Sequence, residues 1–108
     1  MNRVFMNKLS SSQRSHLRSQ AHHLDPVVLI GKNGVTGGTI ESVNRALETR
    51  ELIKIKFREY KDEKKSLSYQ LAESTESHIV GTIGHTVILF RQNPNPEKQN
   101  ISLTSIKK

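Results

Sequence analysis

The apolar positions change period several times along the chain, and each period predicts an element. Leu17, Ala21 and Leu24 recur at helical spacing behind Ser10-Ser11-Ser12-Gln13, which fits a capping box, so a helix is predicted from about Ser11 to His22. Val27-Val28-Leu29-Ile30 is a continuous β-branched-rich run, the mark of a strand buried on both faces, and reads as the first central strand. Gly31-Lys32-Asn33-Gly34 breaks it, and Thr36 is placed to cap a helix running to about Thr49 with Ile40, Val43 and Leu47 on one face. Leu52 to Arg58 then alternates, Ile53, Ile55 and Phe57 against Lys54, Lys56 and Arg58, as a half-exposed strand with a basic outer face does. Asp62 is expected to cap a third helix, with Glu63 in its first turn and Leu67 and Leu71 one turn apart.

His78 to Ile83 and Thr86 to Arg91 read as two strands joined at Gly84-His85, a hairpin whose leading glycine suits a primed turn. Asn93-Pro94-Asn95-Pro96 marks a boundary, after which the chain is polar and basic apart from Ile101, Leu103 and Ile106. That tail is expected to dock loosely or not at all. The order αβαβαββ implies a right-handed crossover between the first two strands and helices packed onto a small mixed sheet, a compact α/β sandwich.

The length of 108 residues suits one small domain with tails. Leu, Ile, Val and Phe make up 29 residues, enough for a modest core. The absence of cysteine removes disulfides, cysteine-ligated zinc and thiol catalysis, and suits a reducing compartment. No apolar run approaches a bilayer span, so no membrane partner is expected. Lys and Arg number 17 against 10 Asp and Glu, a formal charge of +7, and nucleic acid is the commonest partner of a small domain this basic.

Residues 1 to 24 hold Arg3, Lys8, Arg14 and Arg18 without an acid, and four serines follow Lys8 closely, a composition that also resembles an organellar transit peptide. The capping box favours a folded helix instead. Arg14, Arg18 and His22, at four-residue intervals, would then form a basic stripe on its solvent side.

The candidate chemistry centres on Gly31-Lys32-Asn33-Gly34. Two glycines let a backbone approach a phosphate closely, while the residues between them supply a charge and a hydrogen bond. The loop leads into a helix start at which Thr36, Gly37, Gly38 and Thr39 would leave backbone amides free for an anion. A GxxG spacing is weak alone, and a turn followed by a helix cap is the competing reading.

Neither GxGxxG nor GxxxxGK followed by Ser or Thr occurs. The histidines His16, His22, His23, His78 and His85 lack HExxH spacing, so neither metal nor cofactor is expected. Nothing places a serine, a histidine and an aspartate together, and an enzyme is not expected. With Phe5, Phe57, Tyr60, Tyr69 and Phe90 as the only aromatics, base stacking is not favoured over a grip on the backbone and shape of a structured RNA. No recognition helix with base-reading side chains stands out, which ranks RNA above DNA.

Several segments together carry a resemblance: Leu9-Ser10, the run from His22 to Thr36, Glu51 to Lys56, and Ile83 to Arg91. The chain resembles the bacterial YhbY-like proteins, stand-alone versions of the CRM domain of plant organellar RNA splicing factors, over about residues 9 to 91. The resemblance implies a four-stranded mixed sheet similar to the C-terminal domain of translation initiation factor 3, with a KH-like GxxG loop. It also implies binding to structured RNA and association with large ribosomal subunit precursors. By match of position, Gly31, Lys32, Asn33 and Gly34 form the loop, Lys54 and Lys56 the basic face, and Arg91 the basic end of the last strand. Asp25 stands where such proteins usually carry a basic residue, and His85 where Lys or Arg is usual; each lowers the positive charge.

The expectation is a non-catalytic, monomeric protein, cytoplasmic and ribosome-associated, binding ribosomal RNA of large-subunit precursors during ribosome assembly. The domain is expected over 9–91, with basic polar tails at 1–8 and 92–108. Its candidate RNA-binding residues are Gly31, Lys32, Asn33, Gly34, Thr36, Lys54, Lys56, His85, Arg91, Arg14 and Arg18. The alternative is a basic protein adaptor in which the glycine loop is purely structural.

Overall fold

A computed structural model describes residues 9–99 and 101. The tail at 1–8, with Arg3, Phe5 and Lys8, and the tail residues 102–108, with Leu103 and Ile106, lie outside the described residues.

The first helix, α1, spans Ser11–Ala21. The capping box is present: the Gln13 amide donates to Ser10 Oγ at 3.1 Å, and the Ser10 amide to Gln13 Oε1 at 2.9 Å. Then follow β1 (Val28–Ile30), α2 (Gly37–Arg50), β2 (Leu52–Phe57), α3 (Lys64–Thr75), β3 (His78–Ile83) and β4 (Thr86–Phe90). The sheet order is β1-β2-β4-β3, with β1 parallel to β2 through the α2 crossover and the other pairs antiparallel. Three helices and a four-stranded mixed sheet are thus present in the order expected.

The layers are two apolar clusters on opposite faces of the sheet. On one face Val43 and Leu47 of α2 and Leu71 and Ala72 of α3 pack on Ile30, Ile53, Ile55, Phe57, Val87 and Leu89. On the other, Leu17 and Ala21 of α1 cover Leu52, Val80, Ile88 and Phe90, with Leu9 at the edge. Each such fully buried aliphatic or aromatic side chain contributes roughly 1.5–3 kcal/mol.

Two expectations are corrected. The Val27–Ile30 run is not a central strand: β1 lies at the sheet edge, Leu29 is 49% exposed, and only Ile30 is buried. A continuous apolar run cannot by itself distinguish edge from centre. The strand buried on both faces is β4, which sits between β2 and β3 beneath α1 and above α3. Asp62 does not cap the third helix. The chain leaves β2 through Tyr60 in the left-handed region (φ 57°), a 3-10 turn takes up Lys61–Glu63, and α3 starts at Lys64 without a side-chain cap.

Past Arg91, the described residues fold back onto the end of α2. Glu51, 1% exposed and at φ 65°, accepts the backbone amides of Asn93 and Ile101 with its carboxylate.

Candidate nucleic-acid interface

The C-terminal ends of β1 and β2, the β3–β4 turn and the starts of α2 and α3 converge at one end of the sheet. There the Gly31–Gly34 turn closes on itself, the Gly34 amide donating to the Gly31 carbonyl at 3.0 Å. Its stem is anchored because the Ile30 carbonyl accepts the amides of both Arg58 and Glu59. Tyr60 braces its tip: the hydroxyl donates to the Lys32 carbonyl at 2.6 Å, and the ring lies 3.4 Å from where a Cβ on Gly34 would stand.

The two glycines differ in what demands them. Gly34 has φ +67° and abuts Tyr60, so the turn itself requires glycine. Gly31 has neither feature, and a Cβ there would meet nothing within 4 Å. The fold therefore does not demand glycine at this position. Lys32 and Asn33 are exposed, and their side chains make no hydrogen bond among the described residues.

Thr36 caps α2 by a reciprocal pair with Thr39, at 3.2 Å in each direction, and Thr39 Oγ1 also donates to the Gly34 carbonyl. The capping box therefore engages the Thr36 and Thr39 amides that were expected to be free. Only Gly37 and Gly38 keep theirs open, because a helix start has no earlier carbonyls to receive them.

The hairpin turn joins the same end, since the Phe57 amide donates to the His85 carbonyl at 2.8 Å. Lys64 at the start of α3 reaches across to the Gly84 carbonyl (2.5 Å) and to His85 Nδ1 (3.3 Å). Lys32, Arg58, Lys61, Lys64 and Lys65 thus gather with His85 around an end that also bears Glu59, Asp62 and Glu63.

The sheet face carrying α1 is only half covered. Leu29, Lys56, Thr86 and Ile83 lie in register across all four strands beyond the helix, with Lys56 exposed at the centre. Arg18 crosses the adjacent row, its stem so close over Gly81 that a Cβ there would sit 2.9 Å away. Arg14 lies beside His78, whose pKa is lowered first by burial and then by that guanidinium. Both arginines remain exposed at their heads.

The CRS1/YhbY (CRM) domain family matches this chain over residues 9–91. The chain belongs to that family. A Pseudomonas aeruginosa relative, named a probable RNA-binding protein, is 36% identical over 97 residues, covering 87% of this chain and 93% of the relative. Bacillus subtilis YqeI, also named a probable RNA-binding protein, is 37% identical over 86 residues, covering 79% and 90%. The solution structure of a hypothetical protein from Staphylococcus aureus is similar in fold, with a TM-score of 0.73, 34% identity, and coverage of 88% of this chain and all of that one.

Within this CRM domain the candidate residues divide. Gly31 to Gly34, Thr36 and His85 come together at the loop end, Lys56 lies on the half-open face beside it with Arg18 over the next row, and Arg14 lies apart from them, beside His78 at the far end of β3. Lys54 does not join them: its ammonium donates to the Leu24 carbonyl at 2.9 Å and the His22 carbonyl at 3.4 Å, closing the end of α1. Arg91 lies at the opposite end of β2, about 20 Å away by strand rise. Its guanidinium donates to Asn44 Oδ1, the Asn44 carbonyl and the Thr75 carbonyl, tying α2 to α3.

Tyr60 and Lys64 are members of the candidate site that pattern reading missed. Tyr60 carried no signal except an aromatic outside any apolar period. Among the described residues no group of three His, Asp or Glu side chains is placed to hold a metal ion, and no helix is long and apolar enough to cross a membrane.

Proposed function

We propose that this CRM domain binds structured RNA by its backbone, with the Gly31–Gly34 turn as the primary contact. One observation carries the reading: Tyr60 holds the turn rigid from behind while Gly31, Lys32 and Asn33 face outward unblocked. Lys32 pairs with a phosphate, Gly31 admits the approaching backbone, and Asn33 hydrogen-bonds sugar, phosphate or a base edge. The names of the two relatives support RNA as the ligand. Lys56 and Arg18 extend the contact along the open face, whereas Arg14, beside His78 at the far end of β3, reaches only an RNA that runs the length of the sheet, and the activity is binding without turnover.

The RNA proposed is ribosomal, in precursors of the large subunit, and the protein acts in ribosome assembly as a cytoplasmic, ribosome-associated factor. Sucrose-gradient sedimentation of lysate at low and high salt tests this. Comigration with the large subunit or its precursors at low salt, release at high salt, and loss of comigration in the double variant Lys32→Asp/Asn33→Asp are expected. A protein that stays at the top of the gradient at every salt concentration would refute the ribosomal assignment.

A further inference from the structure

Beside the loop end, a cavity of about 300 Å³ opens between α3 and the β3–β4 hairpin. Phe57, Ile79 and Val87 give it an apolar floor, continuous with the core beneath α3. Ser68, only 5% exposed, lines it, and its hydroxyl has no hydrogen-bond partner among the described residues. Among the described residues no buried side-chain polar atom lacks a partner, so the Ser68 hydroxyl keeps access to solvent and is open to a polar ligand atom. Tyr69 stands at the border, 60% exposed, although a large aromatic ring ordinarily finds cover.

The mouth is cationic. Lys64 and Lys65 line it with His85, and Lys64 is pinned there by the Gly84 carbonyl. Tyr60, which holds the Lys32 carbonyl, lies one helical turn in sequence before Lys64. A strand of RNA seated on the glycine turn therefore passes lysines to reach the cavity.

From this juxtaposition of an apolar cavity with an open hydroxyl on its wall, an exposed aromatic at its border and a lysine rim we infer that the cavity receives one unpaired nucleobase. The ring stacks by Tyr69 over the apolar floor, a polar edge meets the Ser68 hydroxyl, and the flanking phosphates meet Lys64 and Lys65. The volume lies at the lower end of the range of ligand sites, roughly 300–1,000 Å³, and suits a base rather than a whole nucleotide. The inference rests on the proposed RNA binding and sharpens its ligand to a structured RNA that displays an unpaired residue.

The test compares two RNA probes of equal length, a hairpin with an eight-nucleotide mixed-sequence loop and a fully paired duplex, by fluorescence anisotropy. Ser68→Leu fills the cavity and is expected to lower affinity for the looped RNA about tenfold while leaving the duplex unchanged. Tyr69→Ala, at an exposed position that does not endanger folding, is expected to do the same to a smaller degree. Lys32→Asp/Asn33→Asp is expected to weaken both probes. Wild-type affinity of both Tyr69→Ala and folded Ser68→Leu for the looped RNA would overturn the base site, and would be the outcome if a protein side chain occupied the cavity. Failure of the Lys32/Asn33 variant to weaken either probe would instead overturn the glycine-turn reading on its own.

Discussion

The two ends of β2 present the same raw materials and use them in opposite ways. At one end Lys32 and Asn33 project from a turn braced from behind by Tyr60. At the other, Arg91 is drawn inward onto Asn44 and Thr75, and the buried Glu51 clasps the amides of Asn93 and Ile101. Both ends carry a side-chain-bearing residue in the left-handed region, Tyr60 at one and Glu51 at the other. The lesson is that positive charge in a sequence measures supply, whereas hydrogen-bond partners decide what is left for a ligand. A guanidinium making three internal bonds is an architectural clamp, and an ammonium with none is available to phosphate.

Replacing the clamp should give the largest effect. Arg91→Met leaves the carbonyls of Asn44 and Thr75 without their donor and should destabilise the fold by about 3 kcal/mol. That corresponds to a melting temperature lower by at least about 10 °C in a domain of this size, measurable by thermal unfolding. The folded fraction should keep its RNA affinity. Lys54→Met breaks the comparison at an intermediate point: loss of its bonds to the Leu24 and His22 carbonyls should cost about 1 kcal/mol in urea unfolding, again with RNA affinity retained.

Tyr60→Phe addresses the open end. It removes only the hydroxyl that holds Lys32, so stability should fall by about 0.5–1 kcal/mol while RNA affinity falls a few-fold, measured by anisotropy.

The smallest effect concerns His78. Burial and then Arg14 depress its pKa below the ordinary 6.5, so the unfolded chain takes up this proton before the folded one. Its contribution to stability is complete above pH 6.5 and is lost as pH falls below that value through the depressed folded-state pKa. Urea midpoints measured from pH 7.5 to pH 5 should decline in the wild type and decline less in His78→Gln.

Much of this architecture was legible because local chemistry and tertiary packing agree. The Ser10–Gln13 box, the Ile40/Val43/Leu47 stripe, the alternation from Leu52 and the Gly84 turn each predict what they form. Legibility failed where a contact spans the sequence. Lys54 finds its carbonyls 30 and 32 residues away and Arg91 finds Asn44 across 47, so both look identical in sequence to the solvated Lys56. Tyr60 was hidden for the same reason, its partner lying 28 residues back. Helices α2 and α3 end on Glu51 and Glu76 at positive φ, where glycine would have been the readable stop. The edge position of β1 was unreadable because α1 covers one half of its sheet face and leaves Leu29 out, a division set by where the helix crosses.

The most direct measurement is the salt dependence of RNA affinity for purified wild type, Lys32→Asp/Asn33→Asp and Arg91→Met, at a temperature where all three are folded. The glycine-turn variant should bind at least about tenfold more weakly at low salt, with a log–log salt slope shallower by about one. Arg91→Met should retain both the affinity and the slope. An unchanged slope in the glycine-turn variant, or an equal loss in folded Arg91→Met, would contradict the assignment of the RNA surface to the Tyr60-braced end.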